Sequence, residues 1–283
     1  MHEPSVPPER LPPTRTSASR DAVQRWRLVV RRDALDPDRA QRTVLDDWGR
    51  ALVASGLPVA GLDAPSAKPR YAIAAPLAAA VPGEAELVDI WLTERLPRWR
   101  VREALEPVMP ASHWLVDLAD VWLGEPALPG RVVASVFRAT MPTGDLDPAA
   151  LRAAAEALLA SPTLIRERRK GETTVTYDLR PFIGVLEVDT GPGAGSAVTL
   201  RMTLRHDPEK GIGRPDEILA ALADSVGNPS IRAATLVRER LVLGEPVVPE
   251  PSPRRPPGRR QPDGGAGPGS VDPRGRRGPV TGS

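Results

Sequence analysis

The chain contains no cysteine and only three histidines, and these absences narrow what it can do. Without thiols it can form no disulfide, thiolate zinc site, iron–sulfur cluster or cysteine nucleophile. The histidines, His2, His113 and His206, are far apart in the sequence, which argues against a multi-histidine metal centre. We therefore expect no metal site and no bound cofactor.

Long apolar runs are also missing. No stretch approaches the roughly 18 apolar residues that a membrane span needs, and the first twenty residues have no apolar core like that of a secretory signal. We therefore expect a cytoplasmic protein that does not contact a membrane. Because aromatic residues make up only 4% of the chain, Ala, Val and Leu must supply most of the core.

Pro, Gly and Arg are concentrated near the ends of the chain. Residues 251–283 hold eight Pro and eight Gly, and such a segment cannot bury enough apolar surface to offset the entropy lost on folding. Seven Arg and two Asp give this segment a charge of +5 within a total of +2, so residues 1–250 carry −3. We predict disordered arms at 1–20 and 247–283, and a folded part that is mildly acidic.

Between the arms, one order of elements occurs twice. In residues 21–125, the stretch RWRLVVR at 25–31 alternates apolar with basic side chains, which is typical of a strand with one wet face. Asp36-Pro37 predicts a helix start, and Gly56 a stop. The predicted elements are strand 25–31, helix 37–55, strands 71–77 and 86–93, helix 97–106 and strand 113–123.

Residues 130–246 repeat this order. Asp147-Pro148 predicts a second helix start, and the junction at 123–131 is a Pro/Gly break with no room for an independent element. The predicted elements are strand 131–140, helix 148–160, strands near 164–169, 173–189 and 197–206, helix 216–225 and strand 231–243. The predicted fold class is α+β, with two tandem ferredoxin-like β-α-β-β-α-β units whose sheets are antiparallel.

Several stretches resemble the radical-SAM-associated domain family, whose members are fused to, or encoded beside, cobalamin-binding radical SAM proteins. The most specific are the Asp-Leu-Arg-Pro run within 177–188 and the Gly-Arg-Pro-Asp-Glu run within 213–222. The others are VQRWRLVVRRDAL (23–35), WGRALVASGLPVA (48–60) and KPRYAIAAPLAAAVPGEAELVDIWL (68–92). The resemblance implies a non-catalytic accessory protein that works beside such a partner.

The chain departs from the family pattern at two places. A Ser-His-Leu-Asp run typical of the family is replaced by ALDPD at 34–38. A Gly-Phe-Asn-Pro-His-Pro-Lys-like loop is replaced by GLDAPSAKPR at 61–70, which keeps the Gly and a basic end. If those polar residues serve the usual partner, the role of this chain is lost or altered.

Five charged residues are candidate contacts with a ligand or partner. Lys68 and Arg70 flank Pro69 and could grip phosphates, or could simply solvate a loop. Asp178 and Arg180 lie two apart, which places both on one face of an extended segment. They could pair with each other, bind a ligand or fix a strand end before Pro181.

Arg214 lies in a Gly-rich turn, Lys210 to Glu217, that enters a helix. Such a helix start can bind anions, but Asp216 and Glu217 already supply negative charge to it, so a self-capped helix is the alternative. Among the other polar and aromatic residues, we expect His113 and His206 at exposed ends of strands. Trp26, Trp48 and Trp114 are expected in the core.

Three functions from different classes follow. The first is the non-catalytic accessory protein with a radical SAM partner. The second is RNA binding by a basic loop and the Arg-rich tail, whose candidate contacts are Arg254, Arg255, Arg259, Arg260, Arg276 and Arg277. The third is an enzyme that uses Asp178 and Arg180 on a small molecule. No residue is assigned a catalytic role by a recognisable motif.

Overall fold

Eleven strands and five α-helices occur in the parts of the chain that the computed structural model describes, which are residues 21–62, 67–141, 146–170, 173–191 and 197–245. The strands are β1 Gln24–Arg32, β2 Tyr71–Ile73, β3 Gly83–Leu92, β4 His113–Val121, β5 Val132–Thr140, β6 Ile165–Lys170, β7 Thr173–Asp178, β8 Ile183–Thr190, β9 Val198–Asp207, β10 Gly211–Ile212 and β11 Thr235–Leu243. The helices are α1 Gln41–Ala54, α2 Arg98–Leu105, α3 Leu128–Arg131, α4 Pro148–Ala160 and α5 Pro215–Val226. The predicted arms at 1–20 and 247–283 lie outside the described residues.

Nine of these strands form one large sheet. Its order is β10-β9-β5-β11-β3-β1-β4, with β2 added to β3 and β8 added to β9. All of its pairings are antiparallel except a short parallel contact between Arg238 in β11 and Gly83 in β3. The prediction of an α+β fold built on a mostly antiparallel sheet is therefore confirmed. The remaining strands, β6 and β7, form a separate hairpin.

Two main apolar cores lie between this sheet and its helices. Helices α1 and α2 pack on β1 and β3 through residues such as Trp48, Leu52 and Val101, all of them buried. Helices α4 and α5 pack on β5, β8 and β9 through residues such as Leu151 and Leu222. At about 25 cal/mol per Å2 of apolar surface removed from water, these contacts supply most of the drive to fold. No helix in the described ranges combines the length and apolarity needed to cross a bilayer.

Several element boundaries differ from the predictions; for example, β2 ends at Ile73 rather than 77, and β11 begins at Thr235 rather than 231. Helix α1 begins at Gln41 rather than 37, because the Asp36 side chain accepts the N–H of Asp38 in a turn that precedes the helix. The predicted strand 173–189 is divided between β7 and β8 by a 3-10 turn, Arg180–Phe182. The junction at 123–131, predicted to hold no independent element, contains the single-turn helix α3.

A β-bulge explains two wrong burial predictions in β4. Val29 pairs with Asp117 whereas Val30 pairs with Leu115, so Val116 is an extra residue that reverses the alternation of side chains along the strand. As a result Trp114, predicted in the core, is 44% exposed. His113, predicted at an exposed end, is buried edge-on against Trp48, with 5.7 Å between ring centroids. Trp26 and Trp48 are buried, as predicted.

Candidate functional site

Two clefts adjoin at the turn that connects β9 to α5. The first, here called the hairpin cleft, has a volume of about 780 Å3 and lies between β7, the 3-10 turn and β10. Val175, Pro181, Phe182 and Ile212 give it largely apolar walls, and Lys210 and Arg214 contribute two cations. This size and mixture are typical of ligand-binding sites.

The second, here called the junction cleft, has a volume of about 350 Å3 and takes walls from both halves of the chain. Residues of the loop before β3, including Leu77 and Val81, face Phe137 and Leu236 across it. Ile212 and Arg214 line both clefts, so the two meet at the turn, and together they are called the bent groove.

Two buried arginines hold the loop that forms one wall of the junction cleft. Arg32 in β1 donates to the carbonyl oxygens of Ala78 at 2.6 Å and Val81 at 2.5 Å. Arg238 in β11 donates to the carbonyl oxygen of Pro76 at 2.9 Å and forms a buried ion pair with Glu86. Because charged donors make strong hydrogen bonds in a buried setting, this wall is fixed from two directions.

Glycine shapes the turn between the two clefts. Gly211 has φ +113°, a backbone conformation that side chains other than glycine rarely adopt. Gly213 packs so closely that an added Cβ would lie 3.1 Å from the Cβ of Phe182. The turn therefore places Arg214 at the rim, where its guanidinium binds Asp216 through Nε at 3.1 Å and Nη2 at 2.5 Å. This hydrogen bond raises the pKa of Arg214.

Arg214 and Asp178 both line the hairpin cleft, whereas Arg180 is turned away from it. The chain leaves extended geometry at Leu179. The prediction that Asp178 and Arg180 share one strand face is therefore wrong. Asp178 accepts the backbone N–H groups of Leu164 at 2.7 Å and Arg180 at 3.0 Å.

The Arg180 guanidinium fastens the C-terminal end of α4. It donates to the carbonyl oxygens of Leu159 at 2.6 Å, Ser161 at 3.1 Å and Ile183 at 3.0 Å. Helix ends leave carbonyl groups without partners, and Arg180 satisfies them. Of the interpretations considered, these contacts favour a structural role for this pair.

Lys68 and Arg70 lie elsewhere, beside the start of β2. Both side chains are exposed, and the Arg70 guanidinium stacks on Trp91 at 4.7 Å from the ring centroid. Arg25 stacks on the same ring at 4.8 Å. The structure therefore does not bring Lys68 or Arg70 to the groove. The six candidate arginines of the tail, between Arg254 and Arg277, lie outside the described residues.

Sequence reasoning missed a polar pair beside the junction cleft. The Ser135 hydroxyl lies 2.8 Å from Nε2 of His206, although the two residues are 71 positions apart. Burial, and after it the positive charge of Arg238, lower the pKa of His206 to about 4. His206 is therefore neutral near pH 7. In the sequence, His206 stands at the end of a predicted strand, and only the pairing of β9 with β5 brings it to Ser135.

Neither this pair nor any other polar cluster is arranged as a metal site in the part of the chain that the structure describes. No group of three or more Asp, Glu or His side chains converges there. Ser135 is only 1% exposed, so its hydroxyl is enclosed by the sheet and by His206. The groove thus offers an apolar surface with Arg214 and Lys210 at its rim.

Comparison with known proteins identifies a family and a solved structure with a similar chain. Residues 44–214 match the family described as "Uncharacterized protein conserved in bacteria (DUF2344)", which covers more than half of the chain. No curated protein matches. A chain of the "Crystal Structure of a Cbf5-Nop10-Gar1 Complex" aligns with 12% identity and a TM-score of 0.39 over 76% of this chain. The present chain spans 49% of that one.

Proposed function

This chain belongs to the DUF2344 family of uncharacterized proteins conserved in bacteria, and we propose that it is a non-catalytic accessory protein that binds a partner protein in its bent groove. The observation that carries this proposal is the groove itself, with apolar walls from both halves and the cations Lys210 and Arg214 at its rim. Apolar pockets with a few placed polar groups are typical binding sites.

The acid and guanidinium that an enzyme hypothesis would use are engaged in other contacts. Asp178 binds two backbone N–H groups and Arg180 binds three carbonyl oxygens. Moving either side chain to a substrate would leave these partly buried backbone groups without partners, which costs on the order of 1 kcal/mol for each group. This supports binding rather than catalysis.

The partner we propose is a cobalamin-binding radical SAM protein, in the cytoplasm. This choice rests on the resemblance of the stretches at 68–92, 177–188 and 213–222 to the radical-SAM-associated family. All three stretches contribute to the groove, through Leu77, Pro181 and Arg214.

We also propose that each half is a ferredoxin-like unit, with boundaries near 21–125 and 130–246. In support, the first half pairs its strands in the order β4-β1-β3-β2, and the second in the matching order β11-β5-β9-β8. The β6–β7 hairpin is then an insertion after the first helix of the second unit.

A binding measurement with purified proteins tests the accessory function. We expect the double substitution Lys210→Glu with Arg214→Glu to weaken capture of the radical SAM protein at least about tenfold, because it reverses both cations at the rim. Arg50→Glu with Arg100→Glu changes the net charge equally on exposed residues away from the groove and serves as the control. Capture that is unaffected by the first pair, or absent for the unmodified protein, contradicts the proposal.

RNA binding by the tail is the second candidate, favoured by the seven arginines in residues 251–283. Replacing Arg254, Arg255, Arg259 and Arg260 by Ala in the full chain would then flatten the salt dependence of RNA affinity. Each phosphate contact contributes a log–log slope of about 0.7 on single strands. RNA binding that stays tight after this change would contradict RNA binding by the tail. If the protein also fails to capture the radical SAM protein, the accessory function is contradicted as well.

A further inference from the structure

A small cavity, here called the inner cavity, lies between α1 and the strands beneath it. Its volume is about 20 Å3, which is enough for one water molecule, since a water needs roughly 10–15 Å3. Leu77 lines both this cavity and the junction cleft, so the cavity lies behind the wall of that cleft. The polar side chains that line the cavity are those of Arg32, Gln41, Glu86 and His113.

The pairing of β1 with its two neighbours brings three of these side chains together. Arg32 stands opposite His113 in β4, and Val30 stands opposite Glu86 in β3. Residues that face each other across paired strands project from the same face of a sheet, and so do residues two apart on one strand. Arg32, His113 and Glu86 therefore share the face of the sheet that α1 covers, and all three line the cavity.

Arg32 brings to this place a donor that has no partner. The residue is only 4% exposed, and its two Nη groups donate to carbonyl oxygens of the cleft wall, including those of Ala78 and Val81. Its Nε–H is buried and has no hydrogen-bond partner among the described residues. Because a buried donor without an acceptor is strongly unfavourable, we expect an acceptor beside it that the protein itself does not supply.

His113 and Glu86 bring acceptors to the same cavity. Nδ1 of His113 lies 2.8 Å from the carbonyl oxygen of Ala111. Because a carbonyl oxygen can only accept, Nδ1 carries the proton of the neutral ring, and Nε2 is left as an acceptor. Burial lowers the pKa of His113, which keeps the ring neutral near pH 7. The Glu86 carboxylate binds Arg238, and its oxygens retain lone pairs for a further hydrogen bond.

We propose that the inner cavity binds one water molecule, which accepts from Nε of Arg32 and donates to Nε2 of His113 and to the Glu86 carboxylate. One donor and two acceptors match the roughly three hydrogen bonds that a buried water makes. A cation would instead meet the charge of Arg32, and an anion would meet that of Glu86. The water connects β1, β3 and β4 and fixes the guanidinium that holds the wall of the junction cleft. This inference is independent of which partner the groove binds.

Nuclear magnetic resonance of the full-length protein tests the site. With histidine nitrogens labelled, three side chains give signals, and we expect His113 to carry its proton on Nδ1 and not on Nε2. A rotating-frame experiment separates dipolar transfer from proton exchange by sign, and we expect dipolar transfer from water to the Nε–H of Arg32. A proton on Nε2 of His113, or no dipolar transfer at Arg32, overturns the proposal.

Two substitutions at His113 separate the water from the packing of the ring. Both remove the ring contact with Trp48, but Gln places a carboxamide oxygen near the position of Nε2, whereas Leu has no acceptor. We expect dipolar transfer from water to Arg32 to persist in His113→Gln and to fall at least about threefold in His113→Leu, because only Gln retains a partner for the water. Equal transfer in the two variants contradicts the bridge to His113.

A crystal structure of the unmodified protein, grown in sodium bromide, decides the matter if either variant loses the circular dichroism spectrum of the folded protein. Electron density for one water between Arg32 and His113, without anomalous signal, is the expected result. Anomalous signal from bromide at this place, or the absence of density there, overturns the proposal. Neither result bears on capture of the radical SAM protein, so the accessory function is tested separately.

Discussion

His206 has surroundings that oppose its protonation. Its Nε2 lies 2.8 Å from the Ser135 hydroxyl, the sheet buries much of its ring, and Arg238 adds a positive charge nearby. Burial first, and then this charge, lower its pKa from 6.5 to about 4. A histidine held neutral in this way makes the stability of the folded state depend on pH.

We predict that the free energy of unfolding falls as the pH is lowered from about 6.5 to about 4. Above this window His206 is neutral in both the folded and the unfolded chain, so it does not make the free energy of unfolding depend on pH. Within the window the unfolded chain binds a proton at His206 that the folded chain does not bind, and this favours unfolding. Urea denaturation at pH 7.5 and pH 5 checks this. His206→Gln should reduce the dependence, although His113, whose pKa burial also lowers, retains part of it. An unchanged pH profile in this variant contradicts the prediction.

At the residue scale, the sequence did not predict the contacts that the candidate polar residues make. Asp178 and Arg180 belong to a specific motif, but their roles depend on the turn at Leu179, which alternation along a strand cannot reveal. Arg214 directly precedes α5, in agreement with the predicted helix start, and this position brings it to the groove. Ser135 and His206 meet only through the register of β5 and β9, which no local pattern encodes.

At the scale of elements, the glycine turn before α5 sets the geometry of both clefts. Gly211 adopts φ +113°, whereas Gly49 lies inside α1 with open space where a Cβ would stand. The same substitution at these two glycines therefore has opposite physical consequences. One forces a side chain into a strained backbone, and the other removes flexibility from a helix.

We predict that Gly211→Ala lowers the free energy of unfolding by about 1–3 kcal/mol because of backbone strain. Gly49→Ala, the matched control, should raise it by about 0.5–1 kcal/mol through helix propensity. Chemical denaturation of both variants makes the comparison. Similar effects at the two positions would show that the turn does not require its left-handed backbone.

The order of elements was more predictable than their ends and faces. Asp147-Pro148 starts α4 as predicted, and the Asp147 side chain accepts the N–H of Ala149. The similar pair Asp36-Pro37 forms a turn instead, so a capping pattern does not distinguish a helix from a turn that precedes one. The bulge at Val116 has no composition signal of its own, and it alone reversed the expected exposure of Trp114.

At the scale of the whole molecule, two ion pairs connect β3 to the second half. Glu86 pairs with Arg238, and both side chains are nearly inaccessible to water. Glu84 pairs with Arg138 at 2.6 Å, and these side chains are 49% and 36% exposed. The two pairs share a strand and differ mainly in burial, which makes them a natural comparison.

We predict that Glu86→Gln lowers the free energy of unfolding by on the order of 3 kcal/mol, because it leaves the buried charge of Arg238 without a counter-ion. Glu84→Gln should lower it by less than about 1 kcal/mol, since solvent screens that pair. Thermal and urea denaturation measure both. Glu86→Leu combined with Arg238→Met should recover most of the loss, and equal effects of the two Gln variants would contradict this account.

Strand β11 is the last described element of the chain, and it lies in the middle of the sheet between β5 and β3. While the ribosome is still making residues 141–234, these two neighbours are already present without the strand that joins them. At about 5–20 residues per second, that interval lasts on the order of ten seconds. Throughout it the nascent chain presents unpaired strand edges, which promote aggregation. A messenger truncated before codon 235 would therefore yield aggregates rather than a half-functional protein.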